Sequence, residues 1–110
     1  MIIGSTPTHI FSLPFHTNVI QAVLISYAQK HKVVLRKRTS ACELTGTQII
    51  TKLSEKDTFC IDDAIPSVDV QIKIKLITGD VVVSKPIRIA VKECFDEEEV
   101  EVDYEMSGLL

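Results

Sequence analysis

Between Ser67 and Thr78 the chain reads SVDVQIKIKLIT. Val68, Val70, Ile72, Ile74 and Leu76 alternate there with Asp69, Gln71, Lys73 and Lys75. A helix would scatter those apolar residues around its axis, because it repeats every ~3.6 residues. In a strand, successive side chains point to opposite faces. The five then share one largely β-branched face, and the polar residues share the other. This is a strand with one face buried, and it requires a second layer to cover that face.

The segments around it extend the β reading. Thr78, Gly79 and Asp80 form a turn in which Gly79 supplies the unusual backbone angle, and VVVSKPIRIAVKECF returns as a second strand. Pro86 has no N–H to donate, so the return strand lies at an edge or is broken there. Past it, Ile87, Ile89 and Val91 alternate with Arg88, Ala90 and Lys92. Upstream, VIQAVLISYAQ sets Val23, Ile25 and Tyr27 on one strand face. Ile20, Val23, Leu24 and Tyr27 also match helical spacing, but the β-branched content and the turn-like QKHK favour a strand. KVVLRKR is the next strand, CELTGTQIITKL is a pair of short strands turning at Gly46 and closed by Leu53, and THIFSLPF is a first strand ended by Pro14. In LSEKDTF, Ser54 followed by Asp57 makes a capping box for one helical turn, with Phe59 expected to anchor it to the core. DDAIPS is a loop. The expected fold is an all-β, two-sheet antiparallel sandwich of about seven strands with immunoglobulin-like architecture, the helical turn marking the crossing between sheets.

At 110 residues this is one domain, expected as a sandwich over residues 1–93 and an acidic arm over 94–110. All 12 Lys and Arg precede Glu93. Of the 15 acids, eight (Glu93, Asp96, Glu97, Glu98, Glu99, Glu101, Asp103 and Glu105) fall from Glu93 on. A body of formal charge +5 thus carries an end of −8. That end is patterned: Val100, Val102, Tyr104 and Met106 alternate with Glu99, Glu101, Asp103 and Glu105. A solvated tail needs no two-residue apolar period. The pattern predicts an arm that adds as a strand to a neighbouring subunit, most simply a second copy in a homo-oligomer, with Glu99, Glu101, Val100, Val102, Tyr104 and Met106 making the contact. Arg36, Lys37 and Arg38 are the expected basic counterpart, and folding back onto its own body is the rival for the arm.

Chemistry is sparse. His9, His16 and His31 are scattered without metal-ligand spacing, and no phosphate-loop motif occurs. Asp62 and Asp63 read as solvating a turn, and no catalytic residue, cofactor or small-molecule substrate is expected. Cys42, Cys60 and Cys94 form no C-x-x-C pair and are expected as free thiols. Lys30, Lys32, Arg36, Lys37 and Arg38 read as a charged strand edge, and with aromatic residues at 5% the composition argues against a nucleic-acid surface. No apolar run approaches the ~18 residues of a membrane span, and the first residues lack the pattern of a secretion signal.

GSTPTHIFSLPF (Gly4 to Phe15), ISYAQ (Ile25 to Gln29), LSEKDTF (Leu53 to Phe59) and VQIKIKLITGDVVVS (Val70 to Ser84) together resemble a family of short, largely uncharacterised immunoglobulin-like sandwich proteins. These are encoded among the structural, tail- or baseplate-type genes of phages and prophages of Gram-positive bacteria. The resemblance reaches to about Val91 and leaves the acidic end outside it. It implies a virion component, present in the bacterial host cytoplasm during assembly, whose partners are other phage structural proteins. It brings no catalytic residues. A binding module for a host-surface glycan or protein is the alternative, though a glycan site wants more aromatic platforms than this chain offers.

Overall fold

The computed structural model describes residues 1–93. Its strands are β1 (Thr8–Ser12), β2 (Ile20–Gln29), β3 (Lys32–Arg38), β4 (Cys42–Thr45), β5 (Gln48–Lys52), β6 (Ser67–Leu76), β7 (Val81–Val83) and β8 (Ile87–Ala90). One helical turn, α1 (Glu55–Phe59), joins β5 to β6. A three-stranded sheet runs β1-β5-β4 and a five-stranded sheet runs β3-β2-β6-β7, with β8 also on β6. Every pair of strands is antiparallel.

The alternating stretch is the spine of the larger sheet. β6 sets Val70, Ile72 and Ile74 directly opposite Tyr27, Ile25 and Val23 of β2. All six are buried, together with Val68. The smaller sheet contributes Phe11 and Ile49 to the same cluster, and Leu53 joins it just past β5. Directly opposed β-branched and aromatic residues each contribute roughly 0.2–1 kcal/mol beyond an Ala pair. Pro86 divides the return strand as expected, so β7 and β8 lie one after the other along β6.

With β1-β5-β4 in the places of strands B-E-D and β3-β2-β6-β7 in those of C′-C-F-G, the order is that of an immunoglobulin-like sandwich. Among the described residues no strand lies on the free side of β1, and Met1–Ile3 run against Lys92 instead. There Ile2 makes a parallel bridge with Lys92, the Ile3 N–H donates to the Lys92 carbonyl at 3.1 Å, and the Lys92 N–H donates to the Met1 carbonyl at 2.8 Å.

At the sheet crossing, Ser54 Oγ accepts from the Asp57 N–H at 3.0 Å, and Asp57 Oδ2 accepts from the Ser54 N–H at 2.8 Å. The helical turn is as expected, but its anchor is not. Phe59 is 40% exposed, while Thr58 is fully buried. Successive helical residues are rotated by about 100°, so once Thr58 faces inward Phe59 cannot. The Thr58 hydroxyl accepts from the Gly4 N–H at 2.9 Å and has the carbonyls of Ser5 and Glu55 within 3.0 Å as acceptors.

Candidate functional site

The expected basic counterpart, Arg36, Lys37 and Arg38, lies on β3 at one edge of the larger sheet. Strand alternation divides it. Arg36 and Arg38 are exposed on the outer face, whereas Lys37 turns the other way and its ammonium sits 2.7 Å from Asp57 Oδ2. Burial pushes the Asp57 carboxyl up. The Lys37 hydrogen bond and charge, with the bonds to Ser54, outweigh it and leave the group below the usual carboxylate range. Lys37 therefore fastens β3 to α1, and two of the three predicted cations face solvent.

The outer face gains further cations from the register. Arg38, Leu24, Lys73 and Val83 form one cross-strand row, and Arg36, Ser26 and Gln71 form another. Lys75 lies beside Val81. Asp69 in the next row is paired with Arg88 at 3.1 Å. In the sequence Lys73 and Lys75 stand only as the polar side of a strand. Their meeting with Arg36 and Arg38 needs the β2–β3 and β2–β6 pairings, which no local pattern reveals.

At the opposite edge the sandwich is open. A cleft of about 350 Å³ separates β1 and the residues after it from β6, β7 and β8. Ile10, Phe11, Leu13 and Phe15 form one wall. Ile72 and Ile74 form the floor, and Val82 and Ile87 the other wall. Val81, Val82 and Val83 are 51%, 41% and 52% exposed, so β7 shows apolar side chains on both faces. The Leu76 N–H donates to the Asp80 carbonyl and the Ser84 N–H to the Ile72 carbonyl, both at close to ideal length. That alternation turns the backbone of Val82 toward β6 and the N–H and C=O groups of Val81 and Val83 toward the open edge. The signal for this site was present in the sequence: three consecutive valines in a strand already expected at an edge break the polar alternation an exposed edge should carry.

Elsewhere the titratable groups serve the fold. His9 Nδ1 lies 2.6 Å from the Tyr27 hydroxyl, and His16 Nδ1 accepts from the Asn18 N–H at 3.0 Å. Burial pushes the Cys42 thiol up, against the opposing pull of Thr51 and Lys37. Cys42 and Cys60 are free thiols, and Cys94 lies outside the described residues. Among the described residues no three His, Cys, Asp or Glu side chains gather as a metal site, and no helix is long and apolar enough to cross a membrane. The arm residues Glu99, Val100, Glu101, Val102, Tyr104 and Met106 also lie outside the described residues.

Comparison with protein-family models, with curated proteins and with solved structures finds no match to this chain.

Proposed function

We propose that this protein is a non-enzymatic structural or adaptor component of a phage or phage-like particle, and that it works through protein–protein contacts in which the C-terminal arm adds as a strand to a neighbouring subunit. The observation that carries the contact-based reading is the open edge: β7 presents apolar side chains on both faces and unpaired backbone groups to solvent among the described residues. Such an edge is a template for another strand. The phage setting rests on the resemblance of the four segments above. It makes other structural proteins of the particle, assembled in the host cytoplasm, the remaining partners. Deleting everything after Phe95 should convert an oligomer into a monomer by sedimentation while the circular dichroism spectrum stays that of a β protein. The particle setting is tested by mass spectrometry of purified particles, where the chain should appear at stoichiometric abundance. An unchanged oligomer after truncation counts against the arm, and absence from particles counts against the setting.

The second reading, a module that binds a host-surface glycan or protein, has one feature in its favour. Phe59 is exposed beside Asp62 and Asp63 in a shallow hollow, an arrangement in which an aromatic ring suits sugar C–H groups and carboxylates suit sugar hydroxyls. Glycan-array binding lost in Phe59→Ala would replace the first reading with this one.

A further inference from the structure

The strand-addition reading leaves open where the arm is received, and the geometry points to the cleft rather than to Arg36–Arg38. We propose that Glu99–Met106 of one copy lies along β7 of a second copy. Its Val100, Val102, Tyr104 and Met106 side fills the cleft, and its Glu99, Glu101, Asp103 and Glu105 side faces water next to the basic outer face. This rests on the function proposed above and adds the acceptor.

Four features agree. The cleft floor is core: Ile72 and Ile74 are each 4% exposed and Phe11 is 8% exposed, so a strand laid here extends the existing hydrophobic cluster. The edge is ready to pair, because the outward N–H and C=O groups of Val81 and Val83 are spaced for a strand. The two faces of the arm match the two faces of the site. A strand beside β7 puts one side into the cleft and the other on the outer face, next to Val81 and Val83, with Lys73 and Lys75 one strand further, about 10 Å away, where their long side chains favour carboxylates. The lengths also agree, since the arm's alternating run, about 26 Å at ~3.3 Å per residue, covers β7 and reaches the start of β8, short of the Ala90–Lys92 stretch.

Exchange between copies follows from the edge at Ala90–Lys92. A hairpin returning from Glu93 would make its first pairs there, but Met1–Ile3 already hold that edge through the bonds to Lys92 and a bond of 2.6 Å from the Met1 nitrogen to the Ala90 carbonyl. A copy of the arm arriving from outside meets no such obstruction at β7.

The test uses full-length chains with Cys42, Cys60 and Cys94 changed to Ser. One chain carries Val82→Cys and another Val102→Cys, and the two are mixed and oxidised. A covalent heterodimer is the expected product. No cross-link in the mixture, or a link formed only within one chain when both changes are combined, overturns the proposal. In parallel, Val82→Lys and Tyr104→Asp should each weaken self-association about tenfold or more. Val82 is exposed, so the Val82→Lys monomer should melt as the unmodified one does. Lys73→Glu/Lys75→Glu should weaken association at low salt and be rescued by Glu101→Lys/Asp103→Lys. If Arg36→Glu/Arg38→Glu dissociates the oligomer while Val82→Lys does not, the acceptor is β3. The cleft assignment is then wrong, although strand addition by the arm survives. If no substitution in the arm changes the oligomer, the functional reading itself fails.

Discussion

His9 on β1 and Tyr27 on β2 join the two sheets through a titratable pair, with His9 Nδ1 2.6 Å from the Tyr27 hydroxyl. The Tyr27 side chain is fully buried, and its ring centroid lies 5.6 Å from that of His9. Burial, with a smaller push from the positive chain terminus, holds the imidazole below its ordinary value. Burial also raises the Tyr27 phenol, helped by the nearby Cys42 and Asp57. A neutral imidazole and a protonated phenol therefore share this hydrogen bond. Because the folded-state value is depressed, the unfolded chain takes up the proton first on acidification. Stability is full above the unfolded value of 6.5 and falls as pH drops toward the folded one, below which the loss stays constant. The melting temperature should fall between pH 7.5 and pH 5, and His9→Gln should reduce that slope. Thr58 gives a second prediction at this scale. Thr58→Val strips the Gly4 N–H of its acceptor in a fully buried place, and denaturant titration should show a loss of about 1–3 kcal/mol. Phe59→Ala, at an exposed position, should stay within about 0.5 kcal/mol.

Among the elements, the β2–β3 hairpin is made with unexpected residues. Gln29 pairs with Lys32, so Lys30 and His31 alone form the turn, with φ of 50° and 64°. Two-residue hairpins of this hand favour Asn-Gly, because side chains in the left-handed region cost about 1–2 kcal/mol each. Lys30→Asn with His31→Gly should raise stability by about 1 kcal/mol in denaturant titration. The turn was legible from its neighbours and not from its own chemistry, which is why QKHK could be placed but its strain could not. Similarly, β6 and β2 were readable because alternation is a local property, and the broken return strand because Pro86 lacks a donor. The mate of each strand was not readable. The cleft exists because β1 and β7 end up across from one another without a strand between them among the described residues, and that is a fact of topology. Gln29 was missed for the same reason. Its amide donates to the Asp62 carbonyl at 2.9 Å and accepts from the Asp62 N–H at 2.8 Å, closing a loop far along the chain.

At the scale of the molecule, the two edges of the larger sheet differ in kind. One is β3, charged and tied back through Lys37 to α1, and the other is β7, apolar and unpaired among the described residues. A charged edge resists pairing and an apolar one invites it, so of these two edges β7 is the one suited to the proposed strand addition. The chain also leaves its last described contact, Lys92 against Met1 and Ile3, at the end of the same edge. In the proposed exchange, donor and acceptor are unlike surfaces of one subunit. If two copies exchange arms reciprocally, a twofold axis closes the pair and nothing further can join. If each copy gives to the next, the rotation between neighbours either completes a ring or runs on as a helical filament. One open edge and one arm per copy are enough for any of these, and the angle at which the arm leaves Glu93 selects among them.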